Sequence, residues 1–261
     1  MSRLWGTAME IQAHTSLKIS LPKPLTLDTR HETPKTHSML HPTRTHAQDT
    51  ILALTLIAIA GAVNAGGFLA VGHYTSHMSG MVAESADALA TRNYAPIAFL
   101  ATGLLAFILG AATCGWLAGW ARRHRPHLQY ALPIALEGIL ILIFGMLESA
   151  MSIPHGMSTT MALLCFIMGL QNATITRASG ERIRTTHVTG ISTDLGIEIG
   201  HLLHKTADLR KLALLTGLLA MFFGGGLLGA YGFLNFGPAF TLPIGLVLLA
   251  MALPTVMGSR R

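Results

Sequence analysis

His77 and His187 stand in matching polar hexapeptides, Thr75-Ser76-His77-Met78-Ser79-Gly80 and Thr185-Thr186-His187-Val188-Thr189-Gly190. In each copy an acid follows the histidine by two helical turns, Glu84 in the first and Asp194 in the second. An Asn-Ala pair precedes each, Asn64-Ala65 and Asn172-Ala173, with Gln171 beside the second. If a helix runs through the motif, histidine and acid share a face, an arrangement suited to moving a proton. The second stripe continues through Glu198 and His201, opposite an apolar face of Val188, Ile191, Leu195, Ile199 and Leu202. The Ser/Thr-Gly ends put hydroxyls and free backbone N–H groups where a helix begins, which favours a carboxylate or other anion. Ser79 and Thr189 equally suit plain helix caps.

Other polar residues fall inside apolar segments. Glu137 and Glu148 share one face of a span; Glu137 is deep enough to join a polar site, and Glu148 is expected at the membrane interface. Asn64, Gln171 and Asn172 either line a pore or hydrogen-bond between helices. His73 and His77 are spaced like a metal pair on one helical face. No second pair matches them, so no metal site is expected. Cys114 and Cys165 read as small packing residues without a disulfide framework.

The surrounding chain is 51% hydrophobic and only 11% charged, against about a quarter charged in soluble domains. Six apolar segments, about 51–72, 95–121, 129–150, 157–176, 211–233 and 238–257, are long enough to cross a bilayer as helices. Two shorter polar segments, about 78–91 and 187–204, follow the hexapeptides. An acid at the centre of a membrane helix costs about 2.5–3.5 kcal/mol. Glu84, Asp87, Asp194 and Glu198 must therefore face a wet cavity or lie at the interface.

The net charge of +6 is a topology signal and does not point to nucleic acid as a partner. Arg122, Arg123 and Arg125, the 177–184 and 205–211 loops, the polar first 49 residues and the terminal Arg260-Arg261 are basic; the 151–156 and 234–237 turns lack Lys and Arg. The positive-inside tendency puts the first group, including both termini, in the cytoplasm. An even number of crossings then separates residue 49 from Arg122, so segment 78–91 is re-entrant, and segment 187–204 likewise. Three crossings separate the hexapeptides, which inverts one relative to the other. The fold expected is an all-α polytopic membrane bundle of two inverted repeats, residues 50–150 and 151–261, with six full spans and two short broken or re-entrant helices. Residues 1–49 read as a disordered cytoplasmic tail without the apolar core of a signal peptide; Met39 is an alternative start.

The stretches Asn64-Ala65-Gly66-Gly67-Phe68 and Tyr74–Gly80, with Met168–Ala173 and Thr185–Gly190, resemble the YoaK-like family of bacterial inner-membrane proteins, built around a domain of unknown function. The resemblance covers about residues 50–257. It implies a multi-pass inner-membrane location and no established activity. Many members carry Thr-Gly-Asn where this chain has Ser79-Gly80-Met81.

Paired interrupted helices in inverted halves are a recurring design of secondary transporters. The reading is a small secondary transporter or permease, whose site comprises His77, Ser79, Glu84, Asn64, His187, Thr189, Asp194, Asn172 and Gln171. Its partners are the bilayer and a small-molecule or ion substrate, an anion being the kind the helix starts favour. The alternative is a non-catalytic membrane binding or regulatory protein. No hydrolase or zinc-protease motif and no cofactor loop occurs, so neither enzymatic activity nor a cofactor is expected. Gly225-x3-Gly229 fits a helix-packing face within the bundle or in a homo-oligomer.

Overall fold

The computed structural model describes residues 40, 46–146, 156–178 and 187–258. Residues 1–39 and 41–45 of the tail read over 1–49, Glu148, residues 151–155 of the 151–156 turn, loop residues 179–184, Thr185-Thr186 and Arg260-Arg261 lie outside the described residues. Among the described residues eight α-helices follow one another: α1 (His46–Val71), α2 (Met78–Ala90), α3 (Ile97–His124), α4 (Ala131–Met146), α5 (Gly156–Ala178), α6 (Val188–Leu203), α7 (Leu209–Phe236) and α8 (Leu242–Met257). Among the described residues there is no strand.

Among the described residues five helical stretches are long and apolar enough to cross a membrane: Gln48–Val71, Ile97–His124, Pro126–Met146, Gly156–Ala178 and Leu209–Met257. The last holds both α7 and α8. It is broken at Gly237, whose φ of 58° favours a residue without Cβ, and by the 3-10 turn Gly237–Thr241. α2 and α6 are short. At 1.5 Å per residue their 13 and 16 residues reach about 20 and 24 Å, less than the hydrocarbon thickness of about 30 Å.

Local chemistry sets the ends. α1 begins at His46, five residues before the boundary expected from hydropathy, because Asp49 in its first turn complements the helix dipole. Arg122, Arg123 and His124 occupy the last turn of α3, where cations are favoured. Asp208 caps α7 by accepting from the N–H groups of Arg210 at 2.9 Å and Lys211 at 3.2 Å.

The helices pack in a repeating pattern. α1 lies along α7 as α3 lies along α5, α2 rests on α3 as α6 rests on α7, and α4 packs on α8. Exchanging α1 with α5, α2 with α6, α3 with α7 and α4 with α8 maps each of these pairs onto another or onto itself. Glycines repeat the pattern atom by atom. A Cβ at Gly61 of α1 would collide with the Phe222 carbonyl of α7, and one at Gly169 of α5 with the Phe107 carbonyl of α3. Reciprocally, Gly225 of α7 meets the Ala58 carbonyl and Gly110 of α3 the Phe166 carbonyl. Asn64 and Asn172 each stand three residues after the first glycine of their set. Gly229 likewise lies against Ala62, so the Gly225-x3-Gly229 face is used inside the bundle. The core runs through α1, α4, α5, α7 and α8. Leu105, Ile108, Leu109 and Trp116 on α3 and Leu227, Leu228, Tyr231 and Leu234 on α7 face outward, as a lipid-exposed surface requires.

Candidate functional site

α1 stops at Val71, and Gly72 turns the chain with φ 75°. The hexapeptide is then tied back onto α1: Asn64 Oδ1 accepts from Ser76 N–H at 3.1 Å and from Ser76 Oγ–H at 3.0 Å. His77 is the N-cap of α2 and His187 the N-cap of α6, with nearly the same backbone angles, φ −92°, ψ 67° and φ −86°, ψ 55°. Each imidazole folds over the first turn of its own helix. A Cβ at Gly80 would stand 2.8 Å from His77 Nδ1, and one at Gly190 would collide with His187 Nδ1. The glycine that ends each hexapeptide is the space its histidine ring occupies.

The capping role weighed for Ser79 and Thr189 is not realised. Both lie one residue inside the helix, and neither N-cap makes a side-chain capping bond. The first-turn N–H groups, which have no acceptor within their own helix, stay available at both starts.

Both starts open on one cavity of about 640 Å³, lined by Asn64, Tyr74, Ser76, His77, Met78, Ser79, Phe107, Asn172, His187, Val188, Thr189 and Phe222. The lining is paired across the two halves: Asn64 with Asn172, His77 with His187, Met78 with Val188, Ser79 with Thr189, and Phe107 with Phe222. Six of the nine sequence-selected site residues therefore meet here. Tyr74, Phe107 and Phe222 were not singled out from the sequence. The two phenylalanines stand three residues before Gly110 and Gly225, and that shared spacing was the available signal.

Three selected residues lie elsewhere. Gln171 is 1% exposed and donates from Nε2 to the Leu56 carbonyl at 3.2 Å, an interhelical bond between α5 and α1. Glu84 is exposed and reaches His73, not His77, at 3.4 Å. Asp194 is exposed on α6. Glu137 does not line the cavity: it is fully buried on α4 beside Gln171, and neither its carboxylate oxygens nor Gln171 Oε1 hold a hydrogen bond. Glu84, His73, His77 and Tyr74 border a second space of about 170 Å³, so His77 stands between the two cavities.

The acid stripe of α6 is a latch. Glu198 accepts from Lys211 Nζ at 2.9 Å and from Asp208 N–H at 3.2 Å, with His201 Nδ1 at 3.5 Å. The Lys211 hydrogen bond, then the Asp208 N–H, holds the Glu198 carboxyl below the usual glutamate range. These contacts fasten the far end of α6 to the start of α7.

Residues 52–253 match the model of a family described as Protein of unknown function (DUF1275). The chain belongs to this family. No curated protein and no solved structure matches it. The match runs from within α1 to within α8, so both hexapeptides and every helix lining the cavity belong to the DUF1275 domain.

Proposed function

We propose that this DUF1275 protein is a small secondary transporter or permease, and that the cavity between the starts of α2 and α6 is its substrate site. The observation that carries the reading is the paired lining. Two interrupted helices, one from each half, present equivalent residues to one space. Broken backbone at membrane depth persists where protein, water or ligand satisfies it, and such paired breaks are a design of alternating-access transporters.

The proposed topology has six crossings in two inverted halves, in the bacterial inner membrane. The stretch Leu209–Met257 spans 49 residues, about 74 Å of helix, which is more than two hydrocarbon thicknesses. Its break at Gly237 fits two passes. Trp116 and Trp120 near the exposed Arg122, Arg123 and Arg125 fit the cytoplasmic end of α3. With α2 too short to cross, three passes separate the hexapeptides and both termini lie in the cytoplasm.

Single cysteines at Ser79 and Thr189 test the reading without a known substrate, since Cys114 and Cys165 are buried. A membrane-impermeant thiol reagent should reach both positions from either face of sealed vesicles. Reaction from one face alone at both positions contradicts transport and favours a one-sided binding protein.

A further inference from the structure

We infer that the cavity is built for a small monovalent anion, an organic monocarboxylate in chemical class. The inference rests on the reading of this cavity as the substrate site and adds its charge selectivity.

Two independent observations carry it. The first is the convergence of two uncapped helix starts, those of α2 and α6, on one space. Each helix N-terminus carries about half a positive elementary charge, so together they complement about one negative charge. The second is Asn64. It is 8% exposed, and its Oδ1 is taken by Ser76, whose backbone N–H can only donate. That fixes the amide orientation and leaves Nδ2, a donor, facing the site without a hydrogen bond. Nδ2 is open to the cavity, where an anion would accept from it more strongly than a neutral group does.

The remaining lining agrees. The hydroxyls of Ser79 and Thr189 can donate, and among the described residues no Lys, Arg, Asp or Glu borders the space. A carboxylate there would meet backbone and amide donors without a competing fixed charge. Phe107, Phe222 and Met78 supply apolar surface for an organic body. The volume is in the range of small-molecule sites, well above what a bare halide fills.

The test is direct binding of radiolabelled probes of matched size and different charge to the purified full chain. Benzoate is compared with benzamide and benzylammonium, and acetate with acetamide. Monoanions should bind at least about tenfold more tightly than their neutral or cationic counterparts, the scale of a charge-assisted hydrogen bond. Asn64→Asp keeps the oxygen that holds Ser76 but replaces the free donor with negative charge, and should weaken benzoate and acetate at least about tenfold. Thr189→Asp places a carboxylate at the start of α6, where the dipole tolerates it, and should occupy the positive end with the same result, while Thr189→Asn retains binding. Retained helicity by circular dichroism identifies folded variants; should Asn64→Asp not fold, Thr189→Asp against Thr189→Asn decides. Equal binding of anionic and neutral probes, or monoanion binding unchanged in the folded variant, overturns the inference. Those outcomes combined with two-sided labelling of Ser79→Cys and Thr189→Cys would leave a transporter of another substrate class; one-sided labelling with intact anion selectivity would leave an anion-binding protein that does not transport.

Discussion

Alanine at Gly61 is expected to separate α1 from α7, and alanine at Gly169 to separate α5 from α3 by the same amount. In each, the new Cβ collides with a backbone carbonyl, Phe222 for Gly61 and Phe107 for Gly169. A carbonyl inside a helix cannot rotate aside as a side chain can, so the helix axes must move. Overpacking of this kind costs about 3 kcal/mol at the upper end of its range. Replacing glycine by alanine within a helix returns about 1 kcal/mol. The net expectation is a loss of about 2 kcal/mol for each single variant and about 4 kcal/mol for the double, since the two contacts lie in different helix pairs. Gly115→Ala on α3 is the control, because a Cβ there meets nothing within 4 Å, and should be neutral or stabilising by up to about 1 kcal/mol. Equilibrium unfolding in mixed micelles, followed by far-ultraviolet circular dichroism, gives all four values. Gly61→Ala matching Gly115→Ala would refute the close-contact reasoning. A large loss at Gly61 with none at Gly169 would refute the equivalence of the two halves.

Gly80→Ala is expected to keep stability near wild type, because the Cβ meets the movable His77 ring and helix propensity offsets the shift; binding of benzoate to the purified protein should nonetheless fall as the ring is pushed from its place, and unchanged binding would remove His77 from the site. Glu198→Gln should weaken the fastening of α6 to α7, read as faster hydrogen exchange in α6. The sign of its pH effect follows from a folded-state carboxyl held low: the native state binds fewer protons than the unfolded, so the contribution is complete above the ordinary glutamate value, about 4.3, and is lost as pH falls through the lower folded value. Thermal midpoints between neutral pH and pH 3 should therefore fall more steeply in wild type than in Glu198→Gln.

The helices were legible because apolar length and the glycine and proline stops that end them are local properties. All six apolar segments and both short ones appear within a few residues of their expected limits, and the largest displacement at a helix start reflects Asp49 joining α1. The convergence of Asn64, His77, Ser79 with Asn172, His187, Thr189 was legible because a repeated motif brings its own equivalence. What could not be read was rotation. Spacing places Glu84 two turns from His77 but does not say that His77 precedes the helix as its cap, its ring turned over Gly80 rather than along the helix face. Gln171 and Asn172 are adjacent in sequence yet point to different neighbours, one to the α1 backbone and one to the cavity. The aromatic members, Phe107 and Phe222, sit in uniformly apolar helices where hydropathy carries no phase.

Cross-linking between the two half-helices tests the shared site most directly. Ser79→Cys and Thr189→Cys are combined in one chain with a protease site introduced at the exposed residues 122–125, at the end of α3. A short bifunctional maleimide should join the two cysteines, so that cleavage leaves one species on a denaturing gel. Separation into two fragments, with each cysteine shown to react singly, would place the hexapeptides in different environments and contradict the shared cavity.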